Sequence, residues 1–207
     1  MPHGMIALLC RAAVLLGAGA SAAHAHHPMD YATPATALEG LLSGLGHPVI
    51  GLDHLLFVVG AGVLAARRPD AFLLPLAFVV ASGFAVASRA AGAPWDMGEF
   101  WIAGSLIALG AVMLAPRNPG RGLVTGVFLV AGALHGYALA EAIVGAERTP
   151  LYAYVVGLTV IQCAIALGAW KAATWLAAIR PQLRVQHLVG GTIGAAGLLF
   201  AGLTALG

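Results

Sequence analysis

The sequence HPVIGLDHLL, residues 47–56, decides the fold, because it opens the first of six long apolar segments and carries ionisable side chains into it. We predict that this segment spans the membrane from about residue 49, with Pro48 in its first turn, where proline is favoured. Asp53 and His54 then lie roughly 6 to 8 Å inside the apolar zone, at about 1.5 Å per residue. An ionised carboxylate at that depth is unfavourable unless it is paired, hydrated or bound to a metal.

The composition of the whole chain excludes several classes of protein. Of the 207 residues, 60% are apolar and 9% are charged, whereas a soluble domain carries about 25% charged residues. The chain therefore fits neither a water-soluble fold nor a disordered one, since disorder requires low hydrophobicity and high charge. The net charge of +2 is too small to neutralise a run of phosphates, and we expect no nucleic-acid partner. Two cysteines provide neither a disulfide scaffold nor a thiolate zinc site.

Six apolar segments are each long enough for a tilted helix to cross about 30 Å of hydrocarbon. We predict them at residues 49–66, 71–92, 98–115, 122–145, 151–177 and 187–206. Proline, glycine and arginine mark their ends, and the connections are too short for an inserted soluble domain. The predicted fold is all-α, a polytopic integral membrane protein with six transmembrane helices in a single domain, residues 26–207.

Residues 1–25 have the pattern of a secretory signal peptide. A short apolar run over residues 12–20 is followed by small residues that offer two cleavage sites, one at residues 21–23 and one at residues 23–25. An uncleaved first helix is the alternative, and the pattern favours cleavage. We expect a multi-pass protein of the inner membrane whose mature amino and carboxyl termini are both periplasmic.

The arginines support this orientation independently. The connections predicted to be cytoplasmic hold six arginines and the outer connections hold two, as the positive-inside rule requires. The inner arginines are Arg67, Arg68, Arg117, Arg121, Arg180 and Arg184, and the outer ones are Arg89 and Arg148. We expect Trp95, Trp101, Tyr152 and Tyr154 near the outer interface, where amphipathic rings prefer to lie.

The fourth apolar segment carries a second group of ionisable residues. Counting back from its outer end at about residue 145, His135 lies roughly 15 Å deep and Glu141 roughly 6 Å deep. Two segments thus bring imidazoles and carboxylates to similar depths. Imidazole with carboxylate suits Ni, Co, Zn or Fe. The predicted metal residues are His47, Asp53, His54, His135 and Glu141.

The local geometry of the first cluster leaves two alternatives. In a regular helix Asp53 points about 120° away from His47. A bend at Gly46, Pro48 or Gly51 would instead let the imidazoles and the carboxylate converge. A role as an interhelical hydrogen-bond anchor is the structural alternative to metal binding.

Residues 47–56 resemble the HPxxGxDHxL signature of the HupE/UreJ family, which are secondary permeases for nickel or cobalt. The signal peptide, the small size and the six spans match as well, so the resemblance covers essentially the whole chain. It implies that His47, Asp53 and His54 are needed for metal transport. Residues 134–138 resemble the family's HGxAHGxE stretch, from which this chain departs at residues 139–141.

These observations favour a secondary permease that takes up a divalent transition-metal cation, Ni²⁺ or Co²⁺, as its substrate and has no resident cofactor. The chain contains no HExxH pair, nucleophile elbow or CxxCH sequence, so we expect no enzyme. Without a GK[ST] loop, the membrane potential would drive uptake, at about 4.6 kcal/mol per 100 mV for two charges. The alternative is a membrane metal-binding chaperone or sensor that supports metalloenzyme assembly without transport. The sequence does not specify which metal is carried or whether a second ion is coupled to it. It is compatible with a monomer or a homo-oligomer.

Overall fold

The computed structural model describes residues 32–68, 72–94, 98–117 and 119–206. Their helices are α1 (Ala37–Ile50), α2 (Leu52–Ala65), α3 (Leu73–Ala90), α4 (Glu99–Leu114), α5 (Arg121–Leu139), α6 (Arg148–Ile179) and α7 (Val185–Leu206), with a 3-10 turn at Ala140–Ile143 after α5. These ranges contain no strand, which confirms the all-α prediction. The predicted signal peptide and Trp95 lie outside the described residues.

Four of the described helices are long and apolar enough to cross a membrane, namely α3, α5 with its 3-10 extension, α6 and α7. The pair α1 and α2 passes the same test together, with a bend of 79° between them, which gives up to five spans. Helix α4 is apolar but has only 16 residues. The chain is thus a multi-pass membrane protein, and the arrangement of six spans stays a prediction.

The first apolar segment begins earlier than predicted. The placement of Pro48 in the first turn of a helix is wrong, because it lies in the last turn of α1. Helix α1 starts at residue 37 because a capping box closes its amino terminus. The Thr36 hydroxyl accepts a hydrogen bond from the Glu39 N–H, and the Glu39 carboxylate accepts one from the Thr36 N–H. Residues 37–48, which lay outside the predicted span, therefore belong to a helix of their own.

The helices pack in pairs at short distances. Helices α1 and α2 lie one after the other along α6, while α3 packs against α5 and α4 against α7. Glycines permit these approaches: a Cβ at Gly44 would overlap the carbonyl oxygen of Tyr154, and one at Gly62 would overlap that of Ala166. In a membrane such small residues let backbones pack closely. Helix α6 thereby holds α1 and α2 on either side of their break.

One end of the bundle is basic, because six arginines lie where α2, α4 and α6 end and where α5 and α7 begin. They are Arg67, Arg68, Arg117, Arg121, Arg180 and Arg184. The Arg68 guanidinium donates a hydrogen bond of 3.3 Å to the Pro119 carbonyl, so the end of α2 meets the start of α5. The Gln186 amide donates one of 2.9 Å to the Met113 carbonyl, so the start of α7 meets the end of α4. We call this the basic end; His54 lies about 20 Å away from it along α2.

Candidate metal site

The predicted site is built around an interruption of the helix at Gly51. This residue has an extended backbone, with φ −73° and ψ 102°, and separates α1 from α2. A Cβ at Gly51 would lie 2.6 Å from Cδ2 of His54 and 3.3 Å from Oδ1 of Asp53. A residue with a Cβ at position 51 would therefore push against the side chains of His54 and Asp53.

The bend brings the two imidazoles of the HPVIGLDHLL segment together. His47 lies in the last turn of α1 and His54 in the first turn of α2, and their ring centroids are 6.1 Å apart. The regular-helix alternative is therefore wrong, and the bent alternative is confirmed.

The carboxylate of Asp53 is stabilised by the amino terminus of α2. Its Oδ1 accepts a hydrogen bond of 2.8 Å from the backbone N–H of His54. The unpaired N–H groups and the dipole of a helix amino terminus favour a negative charge. The Asp53 side chain is 28% exposed, and its Oδ1 lies 3.9 Å from Nε2 of His54. A carboxylate in an apolar segment is thus held by backbone groups and remains reachable from outside the protein.

A chain of hydrogen bonds connects His54 to α4 through His135. Nδ1 of His54 lies 2.7 Å from Nδ1 of His135, and Nε2 of His135 lies 2.8 Å from the hydroxyl of Ser105. That hydroxyl donates to the carbonyl of Ile102 at 2.7 Å, which uses its only proton. Ser105 must therefore accept from Nε2–H of His135, whose Nδ1 then accepts from Nδ1–H of His54. This assignment makes Nε2 the nitrogen of neutral His54 that carries the lone pair.

His47 is fixed in the same way by Tyr154. The tyrosine hydroxyl donates to the carbonyl of Leu139 at 2.5 Å and lies 3.1 Å from Nδ1 of His47. Because its single proton is used, it accepts from Nδ1–H of His47, and Nε2 of His47 carries the lone pair. The expectation that Tyr154 lies at the outer interface is wrong, since it is fully buried. Tyr154 lies on α6 where that helix packs against α1, and its hydroxyl reaches His47 in the last turn of α1.

Three buried phenylalanines lie next to His135 on the side of the basic end. Phe57 stacks on Phe78 at a centroid distance of 4.8 Å, and Phe128 meets Phe57 edge-on at 5.6 Å. Phe57 and Phe78 lie 4.9 and 5.6 Å from the His135 ring. We call these three rings the phenylalanine cluster. It lies between the imidazoles and the basic end.

The structure brings together four of the five predicted metal residues. His47, Asp53, His54 and His135 are neighbours, so the first and fourth predicted segments meet here. Glu141 is exposed on the 3-10 turn, and within the described ranges its carboxylate has neither a hydrogen bond nor an ion pair. Among the described residues, no group of three or more His, Cys, Asp or Glu side chains is arranged to hold a metal ion. His54 and His135 are hydrogen-bonded to each other through their Nδ1 atoms.

Sequence reasoning missed two residues that orient the imidazoles, Ser105 and the hydroxyl of Tyr154. Ser105 carries the only hydroxyl in the apolar helix α4, and it lies mid-helix. That isolation is a usable signal, because a polar side chain inside a membrane helix usually has a partner on another helix. The sequence does not show which partner it has.

The comparison with protein families agrees with this arrangement. A family model described as HupE / UreJ protein matches residues 13–200. The chain belongs to the HupE/UreJ family. This membership confirms the resemblance of residues 47–56, supports a role in membrane metal transport in general, and gives no indication of an enzyme. Neither the curated proteins nor the solved structures contain a match to this HupE/UreJ chain.

Proposed function

We propose that this HupE/UreJ protein is a secondary permease that carries Ni²⁺ or Co²⁺ across the inner membrane into the cytoplasm, with both mature termini periplasmic. The observation that carries the proposal is the break at Gly51, which gathers two imidazoles and a carboxylate inside a bent membrane-spanning pair. Transporters commonly bind ions at such discontinuous helices. Ionisable groups within a membrane span are expensive and usually functional.

The imidazoles of His47 and His54 are hydrogen-bonded in the way that is typical of metal-binding histidines. Such histidines donate one ring N–H to a fixed partner, which orients the ring and leaves the other nitrogen to bind the metal. His47 donates to Tyr154 and His54 donates to His135, so Nε2 is the ligand atom of both. Nε2 of His54 and Oδ1 of Asp53 are 3.9 Å apart, whereas neighbouring ligands at about 2.0 to 2.2 Å from one ion are roughly 3.0 to 3.4 Å apart, so the two side chains would close by about 0.5 to 1 Å on binding a metal.

The remaining predicted residues have supporting roles in this proposal. His135 is a positioning residue that holds His54 through its Nδ1 and is itself held by Ser105. Glu141 is an exposed carboxylate beyond the end of α5, and it attracts the hydrated cation before the ion loses water. The phenylalanine cluster closes the inner route, and its rings must separate when the ion passes.

Whole-cell accumulation of Ni²⁺, Co²⁺ and Zn²⁺ tests the proposal and identifies the metal. We expect His54→Ala to abolish accumulation of the transported metal. The matched control is His187→Ala, which removes an exposed imidazole from α7 at the basic end and is expected to accumulate metal like the wild type. Equal accumulation by both variants, at equal membrane levels, contradicts the proposed site.

Uptake into sealed vesicles separates transport from binding. A permease accumulates radioactive nickel or cobalt with time, and the accumulated ion leaves when the vesicles are permeabilised. Saturable binding without time-dependent accumulation would instead indicate the metal-binding chaperone or sensor.

A further inference from the structure

A cavity at the basic end of the bundle has the chemistry of an anion site. It has a volume of about 590 Å³ and lies between the end of α2, the end of α6 and the start of α7. Arg67, Arg68 and Arg184 line it, and none of the described lining residues is acidic. Guanidinium groups bind phosphate through paired hydrogen bonds, and the amino terminus of α7 adds partial positive charge. A phosphate-bearing group is the matching ligand.

A second, apolar crevice also lies along α6. It has a volume of about 270 Å³ and is lined on α3 and α6 by residues that include Leu76, Leu167 and Trp170. Ala166 and Trp170 in the crevice and Ala173 and Ala177 in the basic cavity follow one helical face of α6. The two groups are offset by about 7 residues, or roughly 10 Å along α6. The crevice and the basic cavity thus differ in level by about one headgroup length.

We propose that the basic cavity and the apolar crevice together bind one anionic phospholipid, with its phosphate between Arg67 and Arg184 and an acyl chain beside Trp170. The basic end is the cytoplasmic end by the positive-inside rule, and that leaflet is rich in anionic lipid. Basic pockets between transmembrane helices at this level bind such headgroups. This site lies about 20 Å from the imidazoles and does not depend on metal transport.

The crevice favours a lipid over a free phosphate. An inorganic phosphate would need the arginines alone, whereas the apolar walls of the crevice match an acyl chain. Arg68 already donates to the Pro119 carbonyl and ties α2 to the connection before α5, so the test leaves it intact. Arg67 and Arg184 are both exposed and both line the cavity.

Tryptophan quenching by brominated lipid tests this proposal. One variant keeps only Trp170, and a matched variant keeps only Trp175, which lies about 140° around α6 and does not line the crevice. Each is placed in phosphatidylcholine vesicles that contain brominated phosphatidylglycerol or brominated phosphatidylcholine. We expect severalfold stronger quenching of Trp170 by the anionic lipid and equal quenching of Trp175 by the two lipids. Equal quenching at both tryptophans overturns the proposal without any arginine substitution.

Arginine substitutions then connect the preference to the cavity. In the Trp170 variant, R67Q/R184Q is expected to remove the preference for the anionic lipid. The control R117Q/R180Q removes two arginines of the same end that do not line the cavity, and is expected to keep it. Equal loss in both variants would mean general surface attraction and overturn the site. Stabilisation by inorganic phosphate in detergent, without a lipid preference, would identify a free anion instead.

Discussion

Nδ1 of His54 and Nδ1 of His135 lie 2.7 Å apart, although 81 positions separate the residues in the chain. This hydrogen bond joins the first turn of α2 to α5 at the level where a metal would bind. Ser105 decides its direction, because its proton is used by the carbonyl of Ile102. A serine that touches no proposed ligand therefore determines which nitrogen of His54 faces Asp53 with a lone pair.

Ser105→Ala should weaken metal uptake mainly through affinity. Without the hydroxyl, Nε2–H of buried His135 loses its acceptor, at a cost of about 1–3 kcal/mol. The other tautomer is then favoured: His135 donates to Nδ1 of His54, and the His54 proton moves to Nε2. Because this removes the ligand lone pair, we expect the KM for uptake to rise about 10–100-fold with a smaller change in maximal rate. Initial uptake rates in vesicles over a range of metal concentrations measure both quantities.

Ser43→Ala is the matched control for this change. Ser43 is also buried, one turn before His47 on α1, but among the described residues its hydroxyl has no hydrogen-bond partner. Its removal should leave the KM unchanged and should not lower the melting temperature. If both serine variants raise the KM equally, the tautomer argument fails.

Tyr154→Phe should act on His47 in the same way. The substitution keeps the buried ring and removes only the hydroxyl that accepts from Nδ1–H of His47 and donates to the Leu139 carbonyl. The orientation of one proposed ligand is lost, and we expect metal affinity to fall about 10–100-fold. Tyr152→Phe changes an exposed hydroxyl on the same helix and should bind like the wild type. Titration calorimetry of the purified proteins with nickel compares them, and equal affinities would exclude Tyr154 as a positioning residue.

Asp53→Asn and Glu141→Gln should differ strongly. Asp53 is the proposed carboxylate ligand beside His54, so its neutralisation should nearly abolish accumulation. Glu141 is exposed, and the interaction of a screened surface charge with an approaching cation is weak, so we expect only a small decrease. Whole-cell accumulation measures both variants. A near-complete loss in Glu141→Gln would place that carboxylate among the ligands.

The sequence alone predicts most of the helices that form the bundle. The segment predicted at residues 187–206 is observed as Val185–Leu206, and that at 151–177 as Arg148–Ile179. Long apolar runs bounded by proline and arginine leave few alternatives, because backbone groups in lipid must be paired within a helix. The depth count was less accurate: it set Glu141 level with Asp53 and His54 and placed His135 deeper, whereas it is His135 that contacts His54.

The features that sequence reasoning missed have two causes. The start of α1 is encoded locally, because Thr36 and Glu39 have the spacing of a capping box, and the prediction overlooked this signal. Tyrosine is a residue type that is enriched at membrane interfaces, yet Tyr154 is buried because α1 covers that face of α6. The direction in which a helix turns a given side chain is set by its partner, which a single sequence does not specify.

Gly136→Ala should destabilise the bundle and disturb the site together. A Cβ at this position would overlap the backbone carbonyl of Ser82, so α3 and α5 would have to move apart. Such overpacking costs about 1–3 kcal/mol, and it would shift the adjacent His135 away from His54. The control is Gly126→Ala on the same helix, where an added Cβ meets nothing within 4 Å and should stabilise the helix by up to about 1 kcal/mol. Melting temperatures in detergent should therefore move in opposite directions, and a Gly136→Ala protein as stable as the wild type would contradict the close contact between α3 and α5.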